Sequence, residues 1–424
     1  MKKKQKLEYS LEFSKLFFIT YLIYNVNYKF MLGIPSTYIV IILTLIYFFV
    51  YSFYKRNFYL KINSSIFFSA LLLIWSLISL MINNEKNDFY LIRISLLYFI
   101  IILLFPFIYK IIFKKNVFLL LKTIGFVGLV NGIFIISMFI IKPFQELYLT
   151  LINQTTFDLV GGNSAIDSAM SLRMIGITGF SAYSTSFVQM LCAICFLLFI
   201  YYRDNKKLKM KFKDVLILIF IIFSALISAR SAILGIFIFI LVYMKISNIK
   251  QSIKFIFSLV SLLSIFIITI INFIPNEFKE FFINWITEFF VSGSKTGSLQ
   301  ANINMFIYEW IDFSLTGDSR WFGNNNDYYM NTDVGWYRIL FSIGYVGLSL
   351  WLLTIISIIG WENLFSLNSS NKIYVMILIL IYILIMTFKG AILFDSFQSI
   401  FILLSISLIV STSEKQKNYI ISRS

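Results

Sequence analysis

The sequence predicts an all-α polytopic membrane protein of about twelve transmembrane helices, with both termini cytoplasmic and two large extracytoplasmic loops. Three observations predict it. Of 424 residues, 59% are hydrophobic and only 13% charged, against about 25% charged in an ordinary soluble domain. The apolar residues come in blocks of about 17–25, the length an α-helix rising 1.5 Å per residue needs to cross roughly 30 Å of hydrocarbon. The blocks are apolar on every side, whereas strands of a membrane barrel alternate apolar and polar over roughly ten residues.

Apolar blocks between polar breaks place the spans near 13–32, 36–54, 64–82, 90–109, 117–141, 181–202, 214–228, 231–246, 254–274, 338–360, 373–388 and 391–410. The basic residues Met1–Lys6 ahead of the first block resemble the start of a signal peptide. No small-residue cleavage site follows and further spans do, so a retained first helix is expected. The net charge of +16 is a question of placement rather than of nucleic acid, which is not an expected partner. With a cytoplasmic amino terminus, Lys55, Arg56, Lys61, Lys114, Lys115, the run from Arg203 to Lys213, Lys245, Lys250, Lys372, Lys415 and Lys417 fall on inner loops. Glu277, Glu280, Glu288, Glu309, Asp312, Asp318, Asp327 and Asp333 fall on outer ones, which orients every span by the positive-inside rule.

Residues 1–424 therefore read as a single transmembrane domain without internal repeats. Its two long connections, 142–180 and 275–337, lie on the outer side. In the second, Phe278, Phe281, Phe282, Trp285, Ile286, Phe289 and Phe290 recur at helical spacing opposite Glu277, Lys279, Glu280, Asn284 and Glu288. An amphipathic helix lying in the membrane interface is expected there, capped by Asn276 and followed, after glycines 293 and 297, by a second helical stretch near 299–313.

The chain has no His, and its two cysteines, Cys192 and Cys195, sit one helical turn apart inside an apolar block. That pattern excludes a conventional zinc or haem site and reads as packing; no metal and no cofactor are expected. The richness in Lys, Asn, Ile, Phe and Tyr matches an AT-rich bacterial genome, so the expected location is a bacterial cell membrane, the inner one in a cell with two.

Three polar clusters carry candidate chemistry. The turn Ser228-Ala229-Arg230-Ser231 joins two apolar runs of about fifteen residues, roughly 22 Å of helix each. Arg230 is thereby drawn toward the hydrocarbon, where a guanidinium costs at least about 2.5–3.5 kcal/mol. A neighbouring acid or a bound diphosphate would compensate it, the latter suiting a planar donor fork. Arg173 precedes Gly176, Gly179 and the hydroxyls that open the next helix, whose free N–H groups attract anions; contact with lipid headgroups is the alternative. The third cluster contains Gly317, Asp318, Ser319, Arg320, Trp321, Phe322, Gly323, Asn325 and Asp327, followed by Asp333, Gly335, Trp336 and Arg338 at the start of the tenth span. Aromatic faces stack on sugar rings while Asn, Asp and Arg bond hydroxyls, so Arg320, Trp321, Asn325, Asp327 and Trp336 are candidate sugar-binding residues. Arg338 joins Arg173 and Arg230 as a candidate diphosphate-binding residue.

This layout resembles the Wzy-type O-antigen and capsular polysaccharide polymerases and the related O-antigen ligases. The resemblance rests on Arg173-Met174-Ile175-Gly176, on Ser228-Ala229-Arg230-Ser231-Ala232, on Trp310 with Gly317 and Gly323, and on Thr332-Asp333-Val334-Gly335-Trp336-Tyr337 leading into Phe341-Ser342-Ile343-Gly344-Tyr345-Val346-Gly347. It implies an undecaprenyl-diphosphate-linked oligosaccharide as substrate and membrane lipid as surroundings, with a chain-length regulator and a flippase of the same pathway as partners. Ligases resembling this family usually have a functional histidine in the large loop; its absence favours polymerisation over transfer to another acceptor, and a lipid-oligosaccharide flippase is the competing class. By elimination the proton acceptor is a carboxylate of the second loop, Asp333 first and Asp318 second, because Lys is a poor base unless desolvated.

Overall fold

The structure, a computed structural model, describes residues 2–55, 63–83, 88–152, 174–178, 182–204, 208, 210–273, 283, 300, 303–323, 328–360 and 371–411. Arg173, Asn325, Asp327 and nearly all of the expected amphipathic stretch 277–290 lie outside the described residues. The elements are helices, with only two isolated β-bridges and no strand among the described residues. In chain order they are α1 (Lys2–Tyr24), α2 (Ser36–Lys55), α3 (Ser64–Ile82), α4 (Tyr90–Ile111), α5 (Val117–Ile140), α6 (Lys142–Leu151), α7 (Ala182–Arg203), α8 (Phe212–Ser228), α9 (Ala232–Ile246), α10 (Ile249–Phe273), α11 (Gly335–Ile359), α12 (Asn371–Lys389), α13 (Ile392–Asp395) and α14 (Ser399–Ser411). Seven of them are long and apolar enough to cross a membrane, so the chain is a polytopic membrane protein.

Local chemistry sets the ends. Asn63 and Asn116 cap α3 and α5 by accepting from the backbone N–H of Ile66 and Leu119, at 3.1 and 3.0 Å. Helix α1 stops at Tyr24, earlier than the expected 32, because Asn25 takes a left-handed backbone (φ 48°), a conformation Asn tolerates better than most residues.

Helix α7 is the hub, buried along most of its length against α5, α8 and α9. The approach of α5 is close: a Cβ on Gly128 would stand 2.5 Å from Cys192 Cβ. Both cysteines are free and buried, in keeping with a packing role. Polar groups at this depth bond one another, as a bilayer core demands. Gln189 accepts from the Tyr24 hydroxyl and donates to Ser224 Oγ (2.7 Å) and Gly128 O (3.1 Å).

Two helices are interrupted. Within α11, Gly344 has φ 65° and ψ −172°, a region open essentially to glycine alone. Fifteen residues of straight helix would separate Trp336 from Trp351 by about 22 Å, yet their ring centroids lie 6.1 Å apart. The tenth expected span is therefore a first arm, 335–343, bent sharply against a second, 345–359.

The backbone groups released by the bend are taken up by the second loop, which docks edge-on against it. Tyr345 and Val346 donate their N–H groups to Ser314 O and Leu315 O, both at 3.3 Å. In return Phe341 O accepts from Asp318 N, Ser342 O from Ser319 N at 3.0 Å, and Ile343 O from the Trp75 indole at 2.9 Å. Ser79 of α3 and Asn83, which follows that helix, donate to Thr316 O and Gly317 O at 2.8 and 2.7 Å. Non-helical backbone at membrane depth persists where it is satisfied inside the protein in this way. Gly344, which reads in the sequence as a small residue that lets helices pack closely, thus makes the bend.

Two further expectations are corrected here. The stretch 299–313 is not one helix, since 306–309 are non-helical and only the single turn Trp310–Asp312 follows. The last expected span, 391–410, is divided into α13 and α14 by a turn at 396–398.

Candidate functional site

The docked loop and both interruptions meet at one end of the bundle, where the starts of α4 and α7 also lie. Asp88, just ahead of α4, accepts from Tyr90 N at 2.9 Å and from Trp321 N and Phe322 N at 2.8 and 3.2 Å. That clamp seats Trp321 on Tyr90, with ring centroids 5.3 Å apart and planes 20° from parallel, and against Phe394 of α13 at 5.6 Å.

Arg338, one turn into the first arm of α11, projects into this cluster and is 2% exposed. Its guanidinium carbon lies 4.1 Å from the Trp321 ring centre and 3.7 Å from that of Tyr328. Desolvated cation–π contacts of this kind are worth about 2 kcal/mol each. Its Nη1 meets Asp395 Oδ2 at 3.5 Å, and Asp395 is itself fixed by the hydroxyls of Tyr183 (3.2 Å to Oδ2) and Tyr90 (3.4 Å to Oδ1). The Nε and Nη2 atoms of Arg338 are buried without a hydrogen-bond partner among the described residues, as is the Trp321 indole nitrogen.

Asp333 stands two residues before α11 and belongs to the same electrostatic neighbourhood. Burial pushes its carboxyl above the ordinary carboxylate range, against the pull of Arg338; Asp395 pushes the same way and Lys389 opposes. It is not the helix cap, because α11 is preceded by Val334 without a side-chain cap.

Among the residues expected from sequence, the structure brings Arg338, Asp333 and Trp321 together. Trp321 does not offer a stacking face, since it is 1% exposed under Tyr90 and the guanidinium; its position makes it the platform of Arg338. Trp336 packs edge-on against Trp351 and Phe388. Asp318 and Arg320 are half-buried beside Tyr329, with Arg320 5.6 Å from that ring. Arg230 stands half-buried in the α8–α9 turn. Residues 174–178, after Arg173, are buried in the bundle rather than spread on its surface: Ile177 N donates to Asn131 Oδ1 at 2.8 Å and Tyr148 donates to Ile177 O at 3.1 Å.

Sequence reasoning passes over Asp395, Asp88 and the three tyrosines. A signal for Asp395 exists: it is a carboxylate inside an apolar block, and an ionisable residue there is a functional candidate by default. The chain matches no family model, no curated protein and no solved structure. The candidate site is therefore read from the cluster itself, a buried guanidinium whose Nε/Nη2 edge is unbonded among the described residues, with Asp395 and Asp333 near it.

Proposed function

We propose that the chain is an oligosaccharide repeat-unit polymerase of a bacterial cell membrane. In this reading twelve spans place both termini in the cytoplasm and the Arg338 cluster on the extracytoplasmic side, where the charge bias of the loops turns it. The substrate is an undecaprenyl-diphosphate-linked oligosaccharide, and the product a longer lipid-linked chain destined for O-antigen or capsule.

The observation that carries the reading is the free Nε/Nη2 edge of a buried arginine beside Asp333, a carboxylate whose burial suits it to accept a proton. In the reaction the bond between the donor's anomeric carbon and its diphosphate oxygen breaks while the acceptor hydroxyl oxygen bonds to that carbon. The hydroxyl proton passes to Asp333, with Asp318 as second candidate. The diphosphate leaves with the bonding electrons, and in this reading Arg338, with Arg230 and Arg173, stabilises the charge that develops on it more in the transition state than before it. Arg320, Trp336, Asn325 and Asp327 are the proposed contacts to sugar.

The test is reconstitution of the full chain in lipid vesicles with a labelled lipid-diphosphate oligosaccharide. A ladder of lengthened lipid-linked products is expected. Labelled lipid that crosses the bilayer without lengthening would replace the polymerase reading with a flippase.

A further inference from the structure

Arg338 has three donor nitrogens, and the structure uses them unequally. Nη1 is turned to Asp395 at 3.5 Å. Nε and Nη2 have no partner among the described residues although the side chain is 2% exposed. Leaving buried donors of a charged group unbonded costs more than about 1–3 kcal/mol, so an oxyanion that bonds them gains that much.

The two free nitrogens are neighbours on the guanidinium. Nε–H and the nearer hydrogen of Nη2 point the same way and form the side-on edge of the fork, which matches two oxygens of one phosphate or carboxylate. The rings of Trp321 and Tyr328 lie 4.1 and 3.7 Å from the guanidinium carbon, contacts that do not direct its N–H groups within the guanidinium plane. Rotation in that plane is what those ring contacts do not prevent. Asp395 prevents it: bonded to Nη1 and held by Tyr90 and Tyr183 at 3.4 and 3.2 Å, it pins the end of the fork away from the free edge. Asp395 is anchored in turn by α13, the short helix made by the interruption between α12 and α14.

We propose that Asp395 is a positioning residue which, through Nη1, presents the side-on Nε/Nη2 edge of Arg338 to an oxyanion of phosphate or carboxylate type. The inference rests on Arg338 as the anion-binding residue but not on polymerisation. It has an opposite alternative, in which Asp395 occupies the ligand's own place and competes with it, and the two differ in sign.

The experiment is equilibrium binding of farnesyl diphosphate to the purified full chain in detergent, with farnesoic acid and farnesol as comparison probes and monodispersity on size exclusion as the folding criterion. Binding of the diphosphate and the carboxylate but not the alcohol is expected; diphosphate alone would identify phosphate as the oxyanion. Asp395→Ala is expected to weaken diphosphate binding about ten- to a hundredfold, the loss of one or two charge-assisted hydrogen bonds. Asp395→Asn, which retains an acceptor for Nη1 and removes a repelling charge, is expected to bind at least as tightly as the parent. Tighter binding by Asp395→Ala would overturn positioning in favour of competition. Should that variant not fold, Arg338→Lys decides: undiminished binding would overturn the site. A protein that shows the expected binding pattern but forms no ladder would keep this inference and lose the polymerase reading. A protein that forms ladders with unaltered Asp395→Ala and Arg338→Lys would do the reverse.

Discussion

Gly344→Ala tests the bend on which the site is built. A Cβ at this position would fall 2.3 Å from Leu315 O and 2.5 Å from Gly317 N, both backbone atoms that cannot swing aside. The conformation, φ 65° and ψ −172°, would add about 1–3 kcal/mol of strain for a residue with a side chain. Relief requires the docked loop to withdraw, breaking the four backbone hydrogen bonds that join 314, 315, 318 and 319 to the bend, each worth about 0.5–1.5 kcal/mol. Those bonds resist withdrawal in the parent and the variant alike, so the shift is set by the strain and clash added to the docked state: at about 3 kcal/mol, the upper end of that strain, the undocked population rises roughly a hundredfold. Hydrogen exchange on the detergent-solubilised protein reads it directly, because the amides of Asp318, Ser319, Tyr345 and Val346 are protected only while the loop is docked. Exchange there should accelerate by about two orders of magnitude while the α5–α7 contact stays protected. Unchanged exchange at these four amides would refute the account of the bend.

Asp333→Asn should lower turnover roughly 10²–10⁴-fold, the usual worth of a general base, and full laddering by that variant would remove Asp333 from the mechanism. Because burial raises the Asp333 carboxyl, the acidic limb of the rate profile should lie above the ordinary carboxylate value of about 3.9: activity falls as pH drops through the raised pKa and the base gains its proton, and a limb at the ordinary value would contradict the assignment. Arg320→Cys should react with a membrane-impermeant maleimide from the extracytoplasmic side; labelling only after the cytoplasmic leaflet is permeabilised would invert the topology. Arg230→Lys, which replaces a planar fork with a point charge, should impair laddering far more than Lys279→Gln at equal protein abundance, and parity between the two would leave Arg230 a structural cation.

The helices were legible because lipid imposes one rule on all of them: a block of apolar residues long enough to span must satisfy its backbone internally. The interruptions were not: Gly344 stands in a run as apolar as its flanks, and Asp395, Ser396 and Gln398 are too few to break the hydropathy of the block 391–410, so backbone geometry reveals both. Of the site, Arg338, Asp333 and Trp321 could be named from composition, but not their arrangement. A Trp in a loop reads equally as a sugar platform or as a buried plate, and the difference lies in Asp88, which sits 233 residues away in sequence from the Trp321 N–H it accepts from. Asp395 was lost for the opposite reason: its neighbours are so apolar that the block absorbed it.

The two interruptions have a common consequence. A straight α11 would satisfy its own backbone and withdraw the partners of 314, 315, 318 and 319, so the loop that carries Trp321 and the main chain of Arg320, which accepts from Ser342 Oγ at 2.9 Å, would be left with the bonds to Ser79, Asn83 and Asp88. A continuous helix through 390–398 would likewise carry Asp395 out of the turn where Tyr90 and Tyr183 reach it. Breaking one partner of a buried ion pair costs about 3–5 kcal/mol, yet the pair itself is often no more stable than an apolar substitute. Arg338 and Asp395 are thus a poor investment for folding alone. A chain that bends two helices to bury them, and leaves the side-on donor edge unbonded by the described residues, has the form expected of the proposed anion site.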